Sequence, residues 1–298
     1  MVFEKYRKAG KIATKAMQFG VNLIKPGISY FHVADRIESQ IIEQGAKPSF
    51  PVNISKNEIA AHYSPNYDDN TIFKKGDLIK LDVGSHVDGY IADVAITLEI
   101  GSNKHTELIK ASSEALDNAI DIIKPGIAVS EIGNIIDSTI KSYNFNPINN
   151  LTGHSLDRYE LHSGVSIPNV ANTINKKKLK YGDAIAIEPF STIGDGHVIS
   201  GDGSNIYLIK SLIKSRLIRE KKLKILFENM KNRFGTLPFA QRWCKNMTNN
   251  VDISLKKLSF FGIIKQYSQL VEQGKSVVSQ KEHTVLVIEG GCEVITRI

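Results

Sequence analysis

The apolar positions of this chain change period several times, and each change marks an element. Helical spacing predicts a first helix from Phe3 to about Val21, which runs into Leu23-Ile24-Lys25-Pro26-Gly27-Ile28, where Pro26 and Gly27 stop it. A second helix follows from about Ser29, with Val33, Ile37 and Ile41 on one stripe. From Lys80 to Ile96 the pattern reads as two strands joined by a tight turn, because apolar and β-branched residues flank Asp88-Gly89. Strand side chains alternate faces, and residues opposite each other in a hairpin share a face. A Val87-Asp88 loop sets Asp82 directly opposite Asp93. An Asp88-Gly89 loop pairs Asp93 with Gly84 and makes Asp82 its diagonal neighbour. Either register gathers two carboxylates on one face of an apolar ribbon, where they repel unless a cation or a shared proton lies between them.

The pattern then repeats. Ile122-Ile123-Lys124-Pro125-Gly126-Ile127 closes a helix beginning near Thr106, 99 positions after the first Lys-Pro-Gly, and the next helix carries Ile132, Ile136 and Ile140. Phe73 to Asp82 resembles Leu179 to Glu188, with Gly76-Asp77 matching Gly182-Asp183 and Asp82 meeting Glu188. Helix, Lys-Pro-Gly, helix and Gly-Asp strand recur in order, which implies two similar α+β halves facing each other, each offering an acid from the same strand end. The repeat stops near Tyr207. Leu208 to Lys231 is basic and mostly helical by pattern, another helix starts near Asp252, and strand-like sequence resumes at Ser276 and at His283–Ile288. The expected division is a catalytic body of residues 1–207 plus 267–298, carrying an inserted helical subdomain, 208–266.

Composition narrows the class. The 298 residues are 42% hydrophobic and 23% charged, ordinary for a soluble globular protein. No apolar run reaches membrane-spanning length, the N-terminus lacks the apolar core of a signal peptide, and Cys244 and Cys292 have no close partner. The expectation is a cytoplasmic protein with reduced thiols, and a monomer. The net charge of +7 is concentrated: Lys210, Lys214, Arg216, Arg219, Lys221, Lys222, Lys224, Lys231 and Arg233 face only Glu220 and Glu228.

Three further features complete the candidate chemistry. Gly153-His154-Ser155 follows an Asn/Pro-rich loop, Glu188 ends an apolar strand before Pro189, and Glu282 precedes the strand His283–Ile288. With Asp82 and Asp93 they make four carboxylates and one imidazole, a set suited to two divalent ions of the manganese, cobalt, iron or zinc kind. In order and spacing, Asp82, Asp93, Gly153-His154-Ser155, Glu188-Pro189 and Glu282-His283-Thr284 resemble the five-ligand signature of methionine aminopeptidases. Phe234 to Trp243 (Phe-Gly-Thr-Leu-Pro-Phe-Ala-Gln-Arg-Trp) and Ala60-Ala61-His62-Tyr63-Ser64-Pro65 look like the type II subclass.

The resemblance implies the pita-bread fold, whose internal pseudo-twofold symmetry agrees with the repeat. It also implies removal of the N-terminal methionine from nascent proteins with a small second residue, by attack of metal-activated water on the scissile carbonyl. Asp82 would bind one metal, Asp93 and Glu282 would bridge both, and His154 and Glu188 would bind the other. Glu188 would also shuttle the proton, and His62 and His162 match the two active-site histidines that are not ligands. Phe50, Leu161 and Ile206 are the implied pocket residues, with Tyr267 near its mouth; some type II enzymes carry histidine where this chain has Ile206. His32, His86, His105, His197 and His283 match no catalytic position. Two other readings compete: a proline-specific peptidase of the same fold, and a non-catalytic relative that binds RNA or ribosomes. The basic stretch Lys210–Arg233 bears on the last, as either a solvated face or a dock on ribosomal RNA.

Overall fold

In the computed structural model, which describes residues 2–171 and 175–297, the two halves are visible as two helix pairs, each backed by sheet. Helices α1 (Val2–Leu23) and α2 (Tyr30–Glu43) belong to the first half, and α3 (Thr106–Asp121) and α4 (Val129–Ser142) to the second. Ser29 caps α2 by accepting the backbone N–H of His32, which fixes the start expected there. The repeated apolar stripes do the same work twice. Val33, Ile37 and Ile41 are buried in the first core, and Ile132, Ile136 and Ile140 in the second. Burying each is worth roughly 1.5–3 kcal/mol.

The strands Leu78–Val87 and Tyr90–Glu99 form the expected hairpin, with Val87 opposite Tyr90, so Asp88-Gly89 is the loop. Both turn residues have positive φ, 52° and 89°, as this two-residue turn demands. Gly84 therefore pairs with Asp93, and Asp82 is the diagonal neighbour. In the second half the matching strand is broken. Ala184–Ile187 joins a sheet with Thr152–Leu156 and His283–Ile288, while Phe190–Thr192 pairs elsewhere, and Glu188-Pro189 occupies the break.

Beyond the repeat the elements differ from those the pattern predicts. Val198–Ile209 is one strand that runs past Tyr207, and Ile264–Glu272 is a strand paired along it, with Tyr207 opposite Gln266. The ladder thus crosses both positions at which the chain was divided. Gly201 and Gly203, together with the polar run Lys265, Gln266, Ser268 and Gln269, hide the alternation that marks a strand. Leu208–Lys231 is likewise less helical than its pattern: it ends that strand, makes a short 3-10 turn at Ile213–Leu217, and becomes α-helix only in α5 (Lys221–Phe234). A further helix, α6 (Val251–Phe260), packs with α5 around Leu226, Phe227, Met230, Leu255 and Leu258, a third core separate from the other two.

Candidate functional site

The two halves meet where the hairpin touches the strand His283–Ile288. The Thr284 hydroxyl accepts the Asp93 backbone N–H at 2.7 Å and donates to the Asp93 carbonyl at 2.8 Å. Beside it, the Glu282 N–H donates to the Ala95 carbonyl at 3.0 Å. These contacts carry Asp93 and Glu282 to one spot. The break at Glu188-Pro189 turns Glu188 toward the same spot, and the strand Thr152–Leu156 brings His154. One ligand atom each from Asp93, His154 and Glu282 lie within 4.8 Å of one another. The His154 Nε2 stands 3.7 Å from both Asp93 Oδ2 and Glu188 Oε1.

All eleven residues singled out in the sequence line one cavity: Asp82, Asp93, His154, Glu188 and Glu282 on its floor, with His62, His162, Phe50, Leu161, Ile206 and Tyr267 around them. Gly84 is needed nearby, since a Cβ there would come within 2.1 Å of the Phe50 ring. Four more residues line it: Ala61 and Pro238, which the sequence marks only as members of the two subclass motifs, and Asn53 and Gln280, which it does not single out. Gln280 had a signal, lying two residues before Glu282 and so on the same face of an extended segment. Its amide donates to Glu188 Oε2 at 3.3 Å and to Glu282 Oε2 at 3.2 Å.

The electrostatics call for a cation. Burial raises the pKa of all four acids, and for Asp93, Glu188 and Glu282 the neighbouring carboxylates raise it further. Burial pushes Asp82 up to about 7. Burial followed by Glu282 and Asp82 raises Asp93 well above the carboxylate range; burial, Asp93 and Asp82 raise Glu188; burial, Glu188 and Asp82 raise Glu282. Asp82 Oδ1, Asp93 Oδ1 and Glu282 Oε1 are buried without a hydrogen-bond partner among the described residues. No lysine or arginine is among the described residues lining the cavity. Hard oxygens left unpartnered beside a neutral imidazole fit divalent ions, and nothing else on the walls would compensate them. His154 is neutral, its pKa lowered to about 3, chiefly by burial and then by His162.

The two other histidines are held differently. His62 sits at φ 69°, its Nδ1 3.2 Å from the Ser268 carbonyl and its ring edge-on to Tyr267. Because a carbonyl only accepts, the proton is on Nδ1 and Nε2 is left as an acceptor. Burial lowers its pKa to about 4, so the ring is neutral at pH 7. His162 stacks edge-on against His154 with ring centres 4.4 Å apart, and burial lowers its pKa as well.

Residues 4–229 match metallopeptidase family M24. The methionine aminopeptidase of Methanocaldococcus jannaschii is 45% identical over 296 residues, 99% of this chain and 98% of that protein. The chain belongs to family M24. The Thermococcus onnurineus methionine aminopeptidase is 43% identical to this M24 chain over 97% of each. Among solved structures, the Thermotoga maritima methionine aminopeptidase superposes with a TM-score of 0.71 at 25% identity, covering 99% of this chain and 96% of its own. The α+β architecture is the pita-bread fold that the repeat and the motifs led one to expect.

Proposed function

We infer that this M24 chain hydrolyses the first peptide bond of polypeptides that begin with methionine. It is a methionine aminopeptidase, and its insertion with the Phe234–Trp243 segment makes the type II subclass our reading. One observation carries the function: four carboxylates, Asp93 and Glu282 buried and Asp82 and Glu188 half-buried, converge with His154 beside a wall built from Phe50, Leu161, Ile206 and Tyr267. The apolar and aromatic wall suits a thioether, which gains roughly 0.3–1.5 kcal/mol against a ring.

Asp82, Asp93, His154, Glu188 and Glu282 would hold two divalent ions, cobalt, manganese, iron or zinc. When bound, such ions supply Lewis acidity that lowers the pKa of water from 15.7 to about 7. The chain's own residues do the rest. Glu188, at the strand break, takes the proton of the attacking water and passes it to the leaving nitrogen. His162 donates a hydrogen bond to the carbonyl oxygen as negative charge develops there. His62, with Nδ1–H engaged by Ser268, offers Nε2 to the N–H of the scissile bond.

The test is release of methionine from short peptides by protein stripped of metal and reloaded. Met-Gly, Met-Ala, Met-Ser, Met-Thr and Met-Val termini are expected to yield methionine, and Met-Leu or Met-Lys little. The confined floor beside the acids leaves scant room for a large second side chain. Equal kcat/KM on Met-Ala-Ser and Met-Lys-Ser would show the specificity reading wrong. Hydrolysis of X-Pro dipeptides in preference to both would favour the proline-specific alternative.

The reading includes a monomer that meets nascent chains in the cytoplasm. A second feature bears on how it meets them. All nine basic residues of the stretch Lys210–Arg233 are exposed. Of its two acids, Glu228 pairs with Lys231 and Glu220 pairs outside the stretch with Lys257. A dock on ribosomal RNA through this face would weaken steeply with salt. K221E/K222E/K224E is expected to abolish salt-sensitive co-sedimentation with ribosomes while peptide hydrolysis in solution stays nearly unchanged. Undiminished sedimentation of the triple variant would leave the stretch as a solubilising face.

A further inference from the structure

Arg242 lies outside the cavity, in the short turn Gln241–Cys244 of the insertion, and is buried at 8% exposure. Its guanidinium reaches three separate segments. One terminal nitrogen donates to the Ser64 hydroxyl at 2.8 Å and to the Pro65 carbonyl at 2.7 Å. The other donates to Glu38 of α2, itself 6% exposed, whose second oxygen accepts the Trp243 indole N–H at 2.7 Å. What Glu38 and Ser64 do next links this network to the cavity. Glu38 Oε1 accepts the Val52 N–H at 3.1 Å, and the Ser64 hydroxyl donates to the Val52 carbonyl at 2.8 Å. Both backbone groups of Val52 are thus held by side chains that Arg242 holds in turn.

Val52 lies two residues after Phe50 and immediately before Asn53, which stands opposite Asp82. Ser64 lies two residues after His62, whose backbone occupies the left-handed region. The same stretch of the insertion supplies Pro238 to the cavity wall and pairs Ala240 with Ile206. We propose that Arg242 is a positioning residue: its fork fixes the Phe50–Asn53 wall and the His62 turn to each other and to the insertion, and so sets the shape of the substrate pocket. The inference rests on the function proposed above, since it assigns a pocket to Phe50 and His62. A lysine in its place keeps the charge but presents no rigid fork, and cannot hold Glu38, Ser64 and Pro65 in one geometry.

Two variants test it, because truncation of Arg242 alone would leave Glu38 buried without a counter-charge and could unfold the chain. R242K retains a cation. E38M/R242M replaces the buried pair with apolar side chains, an exchange such pairs tolerate. Both are expected to fold, to bind manganese as the parent does, and to keep kcat for Met-Ala-Ser within about threefold, while KM rises about tenfold, the scale of one lost hydrogen bond or two. Discrimination between Met-Ala-Ser and Leu-Ala-Ser should fall in parallel, and hydrogen exchange across residues 50–66 should quicken. A purely structural role would lower melting temperature and active fraction and leave KM alone. Folded variants with parental KM, selectivity and exchange would overturn the proposal. Failure of the parent itself to release methionine with any metal would instead overturn the function, and the exchange measurement would still decide the role of Arg242.

Discussion

Glu188→Gln is expected to cut kcat for Met-Ala peptides by on the order of 10²–10⁴-fold, the usual contribution of a positioned acid–base group. The substitution is nearly isosteric, and Glu188 sits at a break between strands, where its packing contribution is small. In the metal-free protein it replaces a carboxyl whose ionisation burial, then Asp93 and Asp82, already disfavour. Its melting temperature without metal should therefore equal or exceed the parent's, so lost turnover cannot be read as lost fold. Retention of more than about a tenth of parental kcat at matched metal content would place the proton shuttle elsewhere.

Metal binding should be the largest single stabilising event available to the chain, and its pH dependence has a definite sign. Burial raises the folded-state pKa of these acids above their unfolded values near 4. Their contribution to folding is fully present below the unfolded values and is lost as pH rises through the folded ones, about 7 for Asp82. An ion that needs them ionised reverses that trend, because it must displace the protons they hold. Manganese at about a thousand times its Kd should add about 4 kcal/mol to stability near neutral pH, and distinctly less at pH 5.5. Comparing loaded with stripped protein at each pH isolates the acids from the contribution of His62, His86 and His283, whose pKa values burial lowers. Calorimetric titration at pH 6.5 in buffers of different ionisation enthalpy should show net proton release on binding. Zero release, or a metal-induced rise in melting temperature independent of pH, would mean the acids are ionised without metal and that their repulsion is met in another way.

Local pattern was enough for the parts of this fold that local pattern dictates. The helical stripes ending in Lys-Pro-Gly, and the Asp88-Gly89 turn, follow from backbone and periodicity rules that act within a few residues. Side-chain alternation satisfied both hairpin registers, and it is the positive φ of Asp88 and Gly89 at the turn itself that selects one. The strand Ile264–Glu272 was not legible, because its neighbours Val198–Ile209 and Ile59–Ala61 lie far away in sequence and its own face is largely polar. The acids were visible because carboxylates on apolar strands are anomalous. Asn53 was not, because an amide at the end of a short strand is ordinary until its partners are known, and Gln280 was marked only by its spacing from Glu282. Arg242 was visible only as part of a motif; its partners Glu38, Ser64 and Pro65 lie far from it along the chain. Lys80 is a similar case: it is buried two residues before Asp82, its ammonium donating to the Asn57 carbonyl at 2.6 Å, and nothing in the sequence distinguishes it from a surface lysine.

The proposed donor set is divided between the halves: Asp82 and Asp93 come from the hairpin of the first, and His154, Glu188 and Glu282 from the second. A chain made from its N-terminus presents the two hairpin acids early and gains Glu282 only after both helix pairs and the insertion have been synthesised. Any product of interrupted translation that stops short of the strand His283–Ile288 lacks a full donor set. Such a fragment is expected to be silent, because Glu282 is missing from the group it would form with Asp93 and His154. A centre that closes only when synthesis has passed through both halves would be a safeguard against premature activity.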